Sequence, residues 1–129
     1  MQISRASDIG LRALIMLKGL QQDHTTVPKL AASLGVPTRY LGKIVHRLTA
    51  SKWVETFRGR GGGLRISPTG GDATVSEVIR VFEEGRTAVN CTDPLCPVLD
   101  QGCRLRGLLI QAEDVFMKSM SKVTIADMA

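Results

Sequence analysis

Aromatic residues are scarce in this chain, with one Trp, one Tyr and three Phe among 129 residues. Proteins that hold single-stranded nucleic acid stack its bases on aromatic platforms, and too few rings are present here for that. Long apolar runs are missing as well. Leu11 to Leu17 is interrupted by Arg12 and closed by Lys18, well short of the roughly 18 apolar residues of a membrane span. No small-residue cleavage site follows a charged leader, so neither an anchor nor a signal peptide is expected. Cysteine is limited to three residues. An odd count without an export signal argues against a disulfide framework and for thiolate chemistry in a reducing cytoplasm.

Carboxylates are depleted in one half only. Residues 1–70 carry eleven Lys/Arg against three Asp/Glu, a balance of +8, whereas residues 71–129 carry six against nine, a balance of −3. Phosphate neutralisation needs local positive charge, so the first half is the part that meets a polyanion. The length allows one compact unit with one modest core. Within that one unit the charge divides the chain into a basic region, 1–70, and an acidic region, 71–129.

Ser4 or Ser7 can cap a first helix running to about Leu20. After a polar loop from Gln21 to Thr25, Thr26 caps a short helix with Pro28 in its first turn, and Gly35 ends it in a left-handed conformation. A third helix runs from about Thr38 to Ser51, with Leu41, Ile44, Val45 and Leu48 on its buried face. The period then changes to two. Trp53, Val54 and Phe57 lead into Gly59-Arg60-Gly61-Gly62-Gly63, and Leu64 and Ile66 lead out, which reads as a β-hairpin with an arginine-bearing tip. Pro68 to Asp72 reads as a loop. Thr74 and Glu77 stand in capping-box spacing ahead of a helix to about Glu84. Gly85 to Gly102 has no period. A final long helix from near Cys103 carries Leu105, Leu108, Leu109, Ala112, Val115 and Phe116 as an apolar stripe, which predicts pairing with a second copy.

Leu30-Ala31-Ala32-Ser33-Leu34-Gly35-Val36 followed by Leu41, Ile44 and Leu48 has helix-turn-helix spacing, and the hairpin after it supplies a wing. The fold expected is mainly α with a small β-hairpin (α+β): a winged helix-turn-helix with a C-terminal dimerisation helix. Thr38, Arg39, Tyr40 and Lys43 occupy the start of the second helix of the motif, where cations reach guanine edges and hydroxyls reach phosphates. Arg58 and Arg60 at the hairpin tip suit a minor groove or its phosphates. Gly42 costs its helix about 1 kcal/mol relative to Ala, for which close approach to DNA or to another helix is the reason we consider. The glycine-rich tip lacks the Lys-Ser/Thr ending of a nucleotide-binding loop and leads into a strand, so a nucleotide site is disfavoured. No nucleophile-base pair surrounds His24 or His46, and no enzymatic activity is expected.

Cys91, Cys96 and Cys103 follow C-x4-C-x6-C spacing in an irregular segment ending at a helix start, where the dipole favours thiolate. Zinc, an iron-sulfur cluster and a thiol switch are all compatible with that spacing.

Together with Ser7-Asp8-Ile9-Gly10-Leu11-Arg12-Ala13-Leu14, Arg58-Gly59-Arg60-Gly61-Gly62-Gly63, Cys103-Arg104-Leu105 and the ending Thr124-Ile125-Ala126-Asp127, the cysteines carry a resemblance. The chain resembles the NsrR-like, nitric-oxide-sensing iron-sulfur winged-helix repressors, of the superfamily that includes IscR. Some IscR-like members place a ligand His shortly after the third Cys; Arg104 to Leu109 contains none, which favours the NsrR-like branch. The resemblance implies a cytoplasmic, homodimeric repressor of palindromic double-stranded DNA. It implies a [4Fe-4S] cluster held by Cys91, Cys96, Cys103 and Asp8 of the other subunit, with nitric oxide as the signal. The alternatives are a [2Fe-2S] or bare-thiol regulator of the same fold that reports redox state or iron supply, and an electron carrier, against which the basic half argues.

Overall fold

The computed structural model describes residues 2–21, 23–98 and 102–129. Three helices come first, α1 (Arg5–Gly19), α2 (Val27–Leu34) and α3 (Thr38–Ala50). Antiparallel strands β1 (Val54–Phe57) and β2 (Gly63–Ile66) follow, then α4 (Pro68–Asp72), α5 (Val75–Phe82), α6 (Arg104–Met120) and α7 (Ile125–Met128). The arrangement is a winged helix-turn-helix with added helices, as the patterning predicts.

Local chemistry fixes the element ends. The Ser4 hydroxyl accepts the Ser7 N–H at 3.2 Å, and the Thr26 side chain accepts the Lys29 N–H, so both helices open on satisfied donors. Gly35 closes α2 at φ 66° and its N–H returns to the helix carbonyls, a conformation that costs most side chains about 1 kcal/mol or more. The predicted capping box is present, with Thr74 and Glu77 each bonding the other's backbone N–H.

α1 is the central post. Leu14 and Leu17 are fully buried, as are Leu41 and Leu48 of α3. Leu64 of β2, Val78 of α5 and Ile125 of α7 complete the same cluster. Core side chains thus come from both halves of the sequence, and burying a leucine of this kind is worth about 1.5 to 3 kcal/mol. The hairpin is docked as well as paired: Thr25 exchanges backbone hydrogen bonds with Leu64 at 3.0 and 2.7 Å, tying the wing to the α1–α2 connection. Across the hairpin Glu55 faces Arg65, their side chains meet at 3.0 Å, and Arg65 also lies over the Phe57 ring.

Two readings are corrected and one element is added. Pro68 to Asp72 is a one-turn helix, because the Ser67 hydroxyl accepts the Gly70 N–H and Pro68 stands at a first position where no donor is needed. α5 stops at Phe82, two residues before Glu84. Thr124 to Asp127, which carried no structural reading, opens α7 with a second capping box and buries Ile125 completely. Gln22 of the first loop and residues 99–101 of the irregular stretch lie outside the described residues.

One contact sets how close α1 and α5 approach. A methyl group on Gly10 would stand 2.5 Å from the Phe82 ring. Gly10→Ala is expected to destabilise the chain by about 1 to 3 kcal/mol through overpacking. Gly19→Ala on the same helix, where no atom lies within 4 Å, should leave stability unchanged or raise it. Urea unfolding of the two variants checks the contrast.

Candidate nucleic-acid interface and cysteine loop

α2 and α3 meet across the Gly35–Pro37 turn, with Ala31 and Leu30 buried against Leu41 and Ile44. That packing turns the opposite side of α3 to solvent. Thr38, Arg39 and Lys43 are exposed there, and Arg39 and Lys43 take part in no ion pair among the described residues. Tyr40 differs from them: it is half-buried against the core, and the Arg5 guanidinium lies 5.5 Å from its ring centroid. Arg58 and Arg60 are exposed at the wing tip, whereas Arg65 in the same hairpin is used internally by Glu55 and Phe57. Five of the six predicted DNA-facing residues therefore stand on the open surface of the reading helix or the wing.

Sequence reasoning missed His46. It is exposed on α3, and its i+7 spacing from Arg39 places it on the same stripe as Lys43, a signal that helical geometry contains. Packing against another helix does not explain Gly42, because a methyl group there would find open space within 4 Å.

The cysteine segment begins where α5 ends. Cys91, Cys96 and Cys103 are all free thiols and all half-buried. Asn90 organises the first of them: its side-chain oxygen accepts the N–H groups of Thr92 at 3.1 Å and Asp93 at 3.0 Å, and its amide donates to the Asp93 carbonyl. The Cys96 N–H then donates to the Cys91 carbonyl at 3.0 Å, so these two thiols belong to one small turn. Cys103 is the residue before α6, with no side-chain cap. Among the described residues no three Cys, His, Asp or Glu side chains come together tightly enough to hold a metal ion. The donor set nevertheless suits an iron-sulfur group in kind: three soft, free thiols close together in sequence. Asp8 stands apart from them on α1, accepting from Arg12 Nε at 2.7 Å. Both side chains of that pair are well exposed, and such pairs contribute about 1 kcal/mol at most.

The end of α5 is bonded to the start of α1. The Glu83 carboxylate accepts the Ser4 N–H and the Ser7 hydroxyl, both at 2.6 Å, while Arg86 lies 3.3 Å away.

α6 is the least covered element. None of its residues is fully buried, and Leu105, Leu108 and Val115 are 60%, 63% and 62% exposed. Leu109 and Phe116 line an open groove of about 950 Å³ between α6, the α5 end and Ile3.

Residues 3–129 match the family model Rrf2, described as an iron-dependent transcriptional regulator. The chain belongs to the Rrf2 family. It is 32% identical over 132 residues to the HTH-type transcriptional regulator NsrR of Geobacillus kaustophilus, covering 99% of this chain and 89% of that protein. Among solved structures it superposes on CymR (YrzC), the global cysteine regulator of B. subtilis, with TM-score 0.78 and 24% identity, covering 100% and 96% of the two chains. It superposes on T. potens IscR with TM-score 0.74 and 19% identity, covering 99% and 85%. The expected NsrR-like relationship is thereby met. This Rrf2 protein is a DNA-binding transcriptional regulator and not an enzyme, and among its described residues no helix is long and apolar enough to cross a membrane.

The Glu83 clamp gives a pH signature. Partial burial pushes its carboxyl pKa up, but the bonds from Ser4 and Ser7, with Arg86 nearby, outweigh this and hold it below the ordinary 4.5. A depressed folded-state pKa contributes stability that is fully present above the ordinary value and is lost as pH falls through the folded one. Glu83→Gln should therefore be less stable than the unmodified chain at about pH 6, by about 1 to 2 kcal/mol, and the gap should narrow progressively as pH falls below 4.5. Denaturant unfolding across that pH range checks it.

Proposed function

We propose that this chain is a cytoplasmic, homodimeric repressor that binds palindromic DNA tightly when an iron-sulfur cluster occupies its cysteine loop and weakly after nitric oxide. The observation that carries this reading is that the segment with the three free cysteines follows in the chain from the end of α5, which is bonded to α1 and to α3 of the helix-turn-helix.

In this reading residues 1–70 read DNA. Thr38, Arg39, Tyr40 through its hydroxyl, and Lys43 enter the major groove, and Arg58 and Arg60 follow the wing into the adjacent minor groove. Gly42 lets backbone approach the duplex. Residues 71–129 form the sensing and pairing part. The exposed stripe Leu105, Leu108 and Val115 on α6 packs on the same stripe of a second copy, which gives the two-fold symmetry a palindrome requires.

Cys91, Cys96 and Cys103 would hold a [4Fe-4S] cluster, with Asp8 of the partner subunit as the fourth ligand. Such a cluster supplies iron that reacts with nitric oxide, and a carboxylate is the most readily displaced of these four donors. The chain's own residues do the rest. Asp8 is available because its pair with Arg12 is weak and exposed. The Asn90 turn brings Cys91 and Cys96 onto one segment, and Cys103 lies at the positive end of the α6 dipole, which favours its thiolate. Ordering of the loop fixes the end of α5, and loss of order releases it.

Anaerobically purified protein should contain about four iron and four sulfide per chain, with broad absorption near ~400 nm. It should bind a palindromic duplex selected from a random pool more tightly before nitric oxide than after. Lys43→Ala or Arg39→Ala should weaken that binding by about 1 to 3 kcal/mol without changing cluster content. Zinc without sulfide, or affinity indifferent to nitric oxide, would leave a DNA-binding Rrf2 protein and remove the sensing mechanism.

A further inference from the structure

α3 is held from its flank as well as from beneath. Residues 40 and 47 are seven apart and so share one side of the helix, about a quarter turn from the Arg39–Lys43–His46 stripe. At the first of these positions Arg5, which opens α1, covers the Tyr40 ring. At the second, the Arg47 guanidinium lies 5.0 Å above the ring of Phe82, the last residue of α5, and donates to the Val81 carbonyl. Glu84 stands 3.9 Å from the same nitrogen, Nη2.

The Val81 carbonyl belongs to the last turn of α5, where no later N–H of the helix is available to it. Arg47 is thus a C-terminal cap supplied from α3, and its charge is of the sign that end of a helix favours. The two elements that grip α3 are themselves joined, because Glu83 bonds Ser4 and Ser7 at the start of α1. Gly85, two residues beyond Glu83, opens the cysteine segment, and Asp8 follows Ser7.

We propose that Arg47 is a positioning residue for DNA recognition: it fastens the reading helix to the end of α5, so that the state of the cysteine loop sets the angle at which α3 meets the groove. The proposal rests on the functional reading above. It treats Arg47 differently from Arg39 and Lys43, since its guanidinium is committed to a ring and a carbonyl inside the chain. Unwinding or extension of the last turn of α5 moves the acceptor, and α3 follows or loses its flank support.

Arg47→Lys separates this from a phosphate contact. Lysine keeps the charge but not the planar stacking or the directed N–H donors. The unmodified chain, Arg47→Lys and Arg47→Ala are compared on a palindromic duplex selected from a random pool and on a mixed-sequence duplex across a salt series. Amide exchange of α3 is followed in the DNA-free proteins. The expected result for Arg47→Lys is about a tenfold loss on the selected duplex, with unchanged mixed-sequence affinity and salt slope, and faster exchange in α3. Equal weakening on both duplexes for Arg47→Ala, with a salt slope lower by about one, would make Arg47 a phosphate contact and overturn the proposal. Unchanged exchange in α3 would overturn it as well. If Cys96→Ala binds the selected duplex as tightly as the unmodified chain, the sensing reading fails. The exchange arm then still decides whether Arg47 holds α3.

Discussion

The contact of Phe82 with Gly10 is the constraint from which the rest of the arrangement follows. The ring occupies the space that a side chain at residue 10 would fill, and only this closeness brings Glu83 within bonding distance of Ser4 and Ser7. It also leaves the outer face of the ring open for Arg47 to cover. A single aromatic residue therefore joins the central post, the end of α5 and the reading helix. The chain has only three Phe, one Trp and one Tyr, so one of its few rings is spent at this junction.

Charge is distributed to match. The basic half presents Arg39 and Lys43 on α3 and Arg58 and Arg60 on the wing, while cations near the junction are matched internally, Arg47 by a carbonyl and Arg86 by Glu83. The acidic half carries the thiols and the uncovered face of α6. The exposed cations and the thiols thus lie on different parts of the chain, joined through the α5 end, where Phe82 packs on Gly10 and Glu83 bonds Ser4 and Ser7.

Much of the fold was legible because its signals are local. Ser4, Thr26, Gly35 and the Thr74–Glu77 box mark their helix ends through atoms three or four residues away, and the alternation around Gly59 to Gly63 marks the hairpin. α4 and α7 escaped because each is a single turn. Gly70 and Gly71 lower the helix preference of the first, and burial of Ile125 in a core built from distant residues sustains the second. The exposed cations of the candidate interface follow from helical spacing. The Glu83–Ser4 bond spans 79 residues and the Arg47–Val81 bond 34, and no periodicity encodes such pairings. The union of Asp8 with the cysteines was a reading from resemblance. Within one chain Asp8 pairs with Arg12, and a second copy is needed to complete the set proposed.

The account depends on Arg47 and Glu83 acting as parts of one junction, and a double-mutant cycle on unfolding free energy tests that directly. Arg47→Ala, Glu83→Gln and the double variant are unfolded in urea without DNA or metal. Coupling of at least about 0.5 kcal/mol, with the double variant less destabilised than the sum of the singles, is the predicted result. Strict additivity would mean that the two ends of the junction do not sense each other, and would contradict the account.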